Sequence, residues 1–150
     1  MNRSRVEDLE TGFENERQVK ETLERVFGCN LNKERYAYAV IDFANDDKTV
    51  WVETKRRLVD HNDYDTAIIS KWKVDHCDRE GCEYYFTWVY NDGLYGMRYD
   101  KALFDTFDVR LYKRKDRVDH KQEPKPHYFI PYRHLKMMAP AAAPQWRGRG

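Results

Sequence analysis

The segment that most constrains the fold is the run Tyr84–Tyr90 (YYFTWVY), which is followed by Asn91, Asp92 and Gly93. Aromatic and β-branched residues favour extended strands, and an Asp-Gly pair between two such runs is a strong hairpin signal. Together with the run Leu94–Tyr99, this segment predicts a β-hairpin. The chain must therefore build a sheet.

Aromatic residues also enlarge a core that the aliphatic content alone leaves small. Leu, Ile, Val and Phe make up 30 of 150 residues, the level at which disorder becomes a concern. Eleven Tyr and four Trp offset this, because each aromatic side chain buries a large area. A chain of 150 residues with this composition is expected to form one folded domain with a polar surface.

Hydrophobic periodicity and turn residues place the other elements. The sequence predicts helices over 13–27 and 66–76, and strands over 36–43, 50–55 and 127–132. Pro131 in the last strand favours an edge strand or the end of a strand. This order predicts an α/β or α+β protein with a mixed central sheet flanked by helices and an extra C-terminal edge strand.

The ends of the chain differ in composition from its middle. We expect an N-terminal arm over 1–11, one domain over 12–138 and a flexible tail rich in Ala, Pro, Arg and Gly over 139–150. No run approaches the ~18 apolar residues of a membrane span, and the N-terminus has no apolar signal region. The prediction is an intracellular protein, in the cytoplasm or nucleus, with no membrane partner.

Three cysteines, an odd number, argue against a secreted disulfide scaffold. Cys77 and Cys82 lie close to His76, a grouping that raises the question of zinc. The group lacks a second half at a recognised ligand spacing. We therefore expect a polar turn with ordinary thiols rather than a zinc site.

The net charge of +1 hides an uneven distribution. Residues 1–109 carry 16 Lys and Arg against 23 Asp and Glu, a balance of −7, whereas residues 110–150 carry 11 against 3, a balance of +8. Segments of opposite sign indicate an acidic site beside a basic surface for nucleic acid. An irregular but solvated charge pattern is the alternative.

A candidate catalytic centre lies on the first predicted hairpin. Side chains alternate along a strand, so Glu53 and Lys55 share one face, and pairing of the two strands can bring Asp42 to Glu53. Two carboxylates at one end of a sheet repel each other unless a cation compensates them. Mg²⁺ prefers a few carboxylates together with water and a phosphate oxygen, so the pattern predicts a magnesium site.

The first predicted helix adds a third carboxylate. At helical spacing Glu16 falls within the apolar stripe of Phe13, Val19, Leu23, Val26 and Phe27. An acid on a buried helix face is costly unless it is paired or serves a metal, so Glu16 is a candidate ligand. An ion pair with Lys20, one turn further on, is the alternative.

Asp42, followed eleven residues later by Glu53, Thr54 and Lys55, resembles the signature of the PD-(D/E)xK nuclease superfamily, with Ile41 in place of the usual proline. The segment 12–17 (GFENER) resembles the G-x-x-x-E-R opening of archaeal Holliday junction resolvases, in which the helix glutamate contributes to the metal site. The later segments ETKRR, DGLY and HYFIP are similar to small nuclease-like proteins of phages and large DNA viruses.

The resemblance implies a restriction-endonuclease-like αβββαβ core and Mg²⁺-dependent hydrolysis of DNA phosphodiester bonds, with Mn²⁺ as a substitute. It implies a metal held by Asp42, Glu53, the Thr54 carbonyl and Glu16, with Lys55 orienting the attacking water. A junction-cutting enzyme needs two active sites, so a homodimer is also implied. A viral source would add the host cell or virion as a location, and virion or replication partners.

Basic residues near this centre are candidate contacts to DNA phosphates. Arg56 and Arg57 follow Lys55 directly, and Lys73 on the second predicted helix matches a basic position in the viral proteins. A solvated surface position is the alternative for each of them. The basic stretch after Val109 would attract the DNA backbone without regard to sequence, through residues that include Lys113, Arg114, Lys115 and Arg117.

Three functions remain open at this point. The leading prediction is a metal-dependent DNA endonuclease, structure-selective in the manner of a Holliday junction resolvase. The first alternative is a catalytically silent nuclease-fold protein that binds DNA or serves in a virion, since a fold does not guarantee an activity. The second is a generic interaction domain with a coincidental E-T-K sequence, which requires Asp42 and Glu53 to lie too far apart to share an ion.

Overall fold

Two β-sheets and three helices make up the part of the chain described by the computed structural model, which covers residues 5–34, 40–113 and 123–141, with side chains from residue 16 onward. The helices are α1 Arg5–Phe27, α2 Lys71–Asp75 and α3 Lys101–Phe104. The strands are β1 Asn32–Lys33, β2 Phe43–Ala44, β3 Val50–Arg56, β4 Thr66–Ser70, β5 Glu83–Tyr90, β6 Gly93–Arg98, β7 Asp108–Tyr112, β8 Lys125–Pro131 and β9 Lys136–Pro140. Within these residues, one sheet has the order β1-β2-β3-β5-β6-β9 and the other has the order β4-β8-β7.

The larger sheet is mixed and contains the core order that the sequence predicts. β1, β2 and β3 form an antiparallel meander, in which Phe43 lies opposite Val52. β3 then pairs in parallel with β5, beginning with Val50 opposite Glu83. A parallel pair needs a crossover connection, and β4 and α2 supply it. With β4 set aside, because it belongs to the smaller sheet, the order α1, β1, β2, β3, α2, β5 is αβββαβ, which confirms the predicted fold class.

The second predicted helix is wrong over its first half. Residues 66–70 form β4, and only Lys71–Asp75 form the short helix α2. Burial in β4 alternates with a period of two, since Ala67 and Ile69 are buried and their neighbours are half-buried. β-Branched residues favour a strand, and antiparallel pairing with β8 satisfies the backbone of this segment.

The last predicted strand corresponds to β8, which ends at Pro131, one of the two outcomes that the proline favours. β8 is not an edge strand, because it lies between β4 and β7 in the smaller sheet. The C-terminal edge strand of the larger sheet is β9, which pairs antiparallel with β6. The predicted edge strand therefore exists, but it begins nine residues later than the sequence suggests, at Lys136 rather than at His127.

Helix α1 is longer than the sequence predicts, and its buried stripe is narrower. It begins at Arg5 rather than at Phe13, and ends before Gly28, whose φ of +68° suits glycine. Leu23 is fully buried, whereas Val26 is 36 % exposed. Among the described residues, no helix has the length and apolar character that crossing a bilayer requires.

The first predicted strand, 36–43, can be compared with the structure only over its last four residues. Only Phe43 of that range belongs to β2, and residues 40–42 form a bend before it. Residues 35–39 lie outside the described residues. So do residues 114–122, which hold Arg114, Lys115 and Arg117 of the basic stretch, and residues 142–150 of the predicted tail.

Two hydrophobic clusters cover the two faces of the larger sheet. The cluster on the α1 side consists of Leu23, Leu31, Phe43, Val52 and Leu94. The cluster on the other side is larger and rich in aromatic residues from β5, such as Phe86 and Trp88, which pack against residues of β4, α2, α3 and β8. Because side chains alternate along β3, Glu53 faces this second side.

Candidate active site

Asp42 and Glu53 meet at the hairpin of β2 and β3. The Asp42 amide donates a hydrogen bond to Glu53 Oε1 at 3.2 Å, and the Thr54 amide donates one to Asp42 Oδ2 at 3.2 Å. Each carboxylate is therefore held by the backbone next to the other. The alternative of a generic interaction domain requires Asp42 and Glu53 to lie far apart, and this contact contradicts that requirement.

Glu53 is a buried carboxylate near the centre of the larger sheet. Only 2 % of its surface is exposed. Burial, and next the negative charge of Asp42, raise the pKa of Glu53 to about 7, although Lys73 and Lys55 act in the opposite direction. The Glu53 carbonyl accepts a hydrogen bond of 2.9 Å from the buried Thr87 hydroxyl, which ties β3 to β5. The negative charge on Glu53 is thus incompletely compensated.

Lys73 occupies a position that the sequence does not predict. Its Nζ lies 2.5 Å from Glu53 Oε2, and 26 % of its side chain is exposed. The buried Val74 anchors α2, which packs against β4 and β8, and the neighbouring Lys73 reaches Glu53 from there. In this structure the Lys73 ammonium pairs with Glu53 at the candidate site, and a contact of Lys73 with a DNA groove stays a prediction.

Lys55 lies two residues beyond Glu53 on the same face of β3. It stands opposite Trp88 in the parallel ladder and is half-buried. Its positive charge lowers the pKa of Glu53, because the ammonium stabilises the ionised carboxylate. The E-x-K spacing thus places an acid and a cation together at one site, with Asp42 as the second acid.

Glu16 does not lie where the helical pattern predicts. Its side chain is 49 % exposed and forms an ion pair with Lys33 at 2.5 Å. Lys33 Nζ also lies 5.6 Å from the ring centroid of Phe43, which packs in the cluster on the α1 side of the sheet. The prediction of a buried Glu16 is wrong, and so is its pairing with Lys20, which contacts Glu24 at 3.9 Å.

The His76, Cys77 and Cys82 group makes local contacts in place of a shared centre. His76 Nδ1 lies 2.7 Å from the Trp72 carbonyl, the Cys77 thiol donates to the Lys73 carbonyl at 3.5 Å, and the Cys82 thiol donates to the Lys48 carbonyl at 3.4 Å. Burial, followed by the charge of Glu53, raises the pKa of Cys77 to about 12. A thiol with so high a pKa is a poor metal ligand at neutral pH.

The donors at the Asp42–Glu53 contact suit a hard divalent cation. Among the residues that the structure describes, no three His, Cys, Asp or Glu side chains form a metal-binding group. Two carboxylates with a neighbouring backbone carbonyl, that of Thr54, are nevertheless oxygen donors of the kind that Mg²⁺ takes when waters complete its shell. The raised pKa of Glu53 fits the same interpretation, because a cation would relieve its repulsion with Asp42.

The predicted DNA contacts are distributed unevenly. Arg56 and Lys113 are exposed, and Arg57 is half-buried at the end of β3. Arg114, Lys115 and Arg117 lie outside the described residues. The described part of the basic stretch continues β7 beside β8, in the smaller sheet.

An antiparallel meander with a crossover to a parallel strand, with an acid just before β2 and an E-x-K sequence on β3, defines nucleases of the PD-(D/E)xK type. The model of the family described as "Phage putative PDDEXK endonuclease" matches residues 1–136. The chain belongs to this family, and the resemblance drawn from its sequence is confirmed at the level of a PD-(D/E)xK nuclease. No curated protein and no solved structure matches the chain.

Proposed function

We propose that this chain is a DNA endonuclease that hydrolyses phosphodiester bonds with Mg²⁺, for which Mn²⁺ can substitute. The observation that carries the proposal is the contact of Asp42 with the buried Glu53, whose Oε1 accepts the Asp42 amide at 3.2 Å. Lys55 lies on the same face of the same strand. A nuclease family match over residues 1–136 supports the same reaction.

The proposed metal ligands are Asp42, Glu53 and the carbonyl of Thr54. When bound, the ion would polarise a phosphoryl oxygen and lower the pKa of the attacking water. The ammonium of Lys55 would orient that water and stabilise the negative charge that grows on the phosphoryl oxygens. The water oxygen bonds to phosphorus as the bond to the leaving sugar oxygen breaks. We leave Glu16 out of this set, because it pairs with Lys33.

Several basic residues are the proposed contacts to the DNA backbone: Arg56, Arg57, Lys113, Arg114, Lys115 and Arg117. Contacts of this kind are insensitive to base sequence and weaken with salt. A preference for branched DNA, such as a four-way junction, is part of the proposal, and simultaneous cutting of two strands would require a homodimer. The phage label of the family supports action on DNA inside a host cell or on virion DNA.

One observation favours a second candidate, a nuclease-fold protein that binds DNA without cutting it. The ammonium of Lys73 lies on Glu53 Oε2 at 2.5 Å, where it supplies a positive charge without any ion. A chain in which this pair never opens would keep the fold and the DNA surface and lose turnover. The two candidates differ in one measurable property, cleavage in the presence of a divalent ion.

The test is cleavage of linear, nicked and four-way-junction DNA in Mg²⁺, in Mn²⁺ and in EDTA. Wild type should cut at least one substrate, and Asp42→Ala, Glu53→Ala and Lys55→Ala should each lose at least about 100-fold in rate. Asp47→Ala is the matched control, since Asp47 is an exposed acid in the same hairpin turn. Salt-sensitive DNA binding by wild type without cleavage in either ion would reject the endonuclease and support the silent alternative.

A further inference from the structure

A cleft opens beyond the C-terminal end of β3, on the side of the sheet that carries Glu53 and Lys55. Its lining includes Arg57 from the end of β3, His61 and Tyr64 from the loop that follows, and Trp88 and Tyr90 from β5. The Arg57 amide donates to the Val89 carbonyl at 2.9 Å, so Arg57 continues the β3 ladder. Alternation therefore places its side chain on the same face as Lys55.

The spacing along β3 relates this cleft to the candidate metal site. Arg57 lies two positions beyond Lys55 along the strand, a distance of about 7 Å. Successive phosphates of one DNA strand rise by about 3.4 Å each along the duplex axis. If the reacting phosphate of a DNA strand lies beside Lys55, a phosphate one or two nucleotides away on the same DNA strand would therefore lie beside Arg57.

Arg57 is a half-buried cation without a counter-ion in the described structure. Its guanidinium has no hydrogen bond or ion pair with any described side chain. Burial raises the pKa of the nearby Tyr90 to about 12, and the positive charge of Arg57 acts in the opposite direction. A guanidinium presents a planar set of donors that matches two oxygens of a phosphate. This chemistry points to an anionic ligand with paired oxygens.

His61 is fixed beside Arg57 by contacts on its other side. Its Nδ1 lies 2.6 Å from Asp92 Oδ2, its amide donates to Asp92 Oδ1 at 3.0 Å, and its ring stacks on Tyr95 with centroids 4.1 Å apart. Its Nε2 has no hydrogen-bond partner among the described residues. The contacts with Asp92 and Tyr95 hold the imidazole ring in place where it lines the cleft.

We propose that this cleft is a phosphate subsite, in which Arg57 and His61 bind the phosphodiester one or two nucleotides from the reacting one. The inference rests on the proposed function and deepens it, because it assigns a second phosphate position on the same DNA strand. Asp60 also lines the cleft, and its carboxylate opposes an anion there. The subsite therefore has two residues that attract a phosphate and one that repels it. Substitution of Arg57 or His61 should weaken DNA binding, whereas substitution of Asp60 should strengthen it.

The first test is fluorescence anisotropy of a labelled DNA duplex in Ca²⁺, which measures binding without cleavage. Arg57→Gln should weaken binding about tenfold, the loss expected for a charged hydrogen-bonded contact. Asp60→Asn should tighten it. Arg25→Gln on α1 removes the same charge far from the cleft and is the matched control. Equal losses for Arg25→Gln and Arg57→Gln, or an unchanged affinity for Arg57→Gln, would overturn the subsite.

Folding is monitored by thermal melting, and Arg57→Lys serves if Arg57→Gln fails to fold. Lysine keeps the charge but lacks the planar pair of donors, so Arg57→Lys should still bind DNA more weakly than wild type. Wild-type affinity for Arg57→Lys would overturn the proposed pairing with two phosphate oxygens.

The second test locates the phosphate by replacing single phosphates with neutral methylphosphonates. One replacement, one or two nucleotides from the cut, should weaken wild type most and weaken Arg57→Gln and His61→Asn less, because each variant keeps one of the two contacts. If Arg57→Gln loses as much affinity as wild type at that position, the contact lies elsewhere and the proposal is wrong. The anisotropy test needs no cut, because it measures binding in Ca²⁺, so a wild type that never cleaves would reject the endonuclease without removing the subsite.

Discussion

The ammonium of Lys73 lies 2.5 Å from Glu53 Oε2, so a lysine from the crossover helix pairs with the buried acid of the central strand. Glu53 Oε1 already accepts the Asp42 amide, and both oxygens of the carboxylate are therefore engaged. A divalent ion that binds Glu53 must share this carboxylate with Lys73 or displace it. The lysine is thus a competitor for the proposed metal position.

Removal of Lys73 should tighten metal binding. In Lys73→Met, the carboxylates of Asp42 and Glu53 lose the nearest ammonium, so the affinity for Mn²⁺, measured by isothermal titration calorimetry at pH 8, should rise about tenfold. The control is Lys71→Met, which removes an ammonium paired with Asp75 at the exposed end of the same helix. An unchanged or weaker Mn²⁺ affinity in Lys73→Met would show that Lys73 does not compete with the ion.

Stability should fall with rising pH because of Glu53. Its pKa is 4.5 ordinarily and about 7 in the folded protein, so between these values the native state binds more protons than the unfolded state. The sign of this difference makes unfolding easier as pH increases, by roughly 3 kcal/mol in total between about pH 4.5 and pH 7.

Urea unfolding across this pH range provides the measurement for Glu53. Glu53→Gln, which cannot ionise, should lack this part of the pH dependence, whereas Glu80→Gln, an exposed control, should retain it. Parallel pH profiles for wild type and Glu53→Gln would contradict the raised pKa.

Glu16 should be dispensable for catalysis. Its carboxylate is half exposed and paired with Lys33, so Glu16→Ala should cost no more than about 1 kcal/mol of stability and leave the cleavage rate within about threefold of wild type. The comparison is with Asp42→Asn, which should lose cleavage. A loss in Glu16→Ala as large as that in Asp42→Asn would restore Glu16 to the metal site.

Gly96 should tolerate no side chain. A Cβ at this position would lie 2.8 Å from the Phe86 carbonyl oxygen and 2.9 Å from the side chain of Met138. Because the carbonyl belongs to the neighbouring strand, Gly96→Ala should destabilise the protein by about 1–3 kcal/mol in urea unfolding. A variant as stable as wild type would contradict the close approach of β5 and β6 at this position.

Local patterns predict the parts of this fold that depend on neighbouring residues. The hairpin of β5 and β6 follows from an aromatic run and a turn. The proximity of Asp42 and Glu53 follows from the hairpin of β2 and β3, although Asp42 lies in the bend before β2 and not in a strand. Each of these two features lies within a single hairpin, where sequence spacing and spatial distance are closely related.

The sequence predictions are wrong where contacts with distant segments of the chain determine the structure. Residues 66–70 have a spacing compatible with a helix, and they become a strand because β8 lies alongside them. Lys73 looks like a surface residue until α2, which packs on β4 and β8, brings it to Glu53. Glu16 looks buried until the strand that carries Lys33 offers a partner at the surface. No local pattern contains this information, because it depends on the crossover and on the sheet order.

The parallel ladder of β3 and β5 joins residues far apart in the chain, since Val50 pairs with Glu83. Long-range pairing of this kind forms slowly, after local hairpins and helices, because its loop must close before any contact rewards it. Thr87 and Lys73 reach Glu53 only once that loop has closed. Maturation of the acidic centre is therefore a late event in folding, and a partly folded chain holds its carboxylates without the arrangement that cleavage would require.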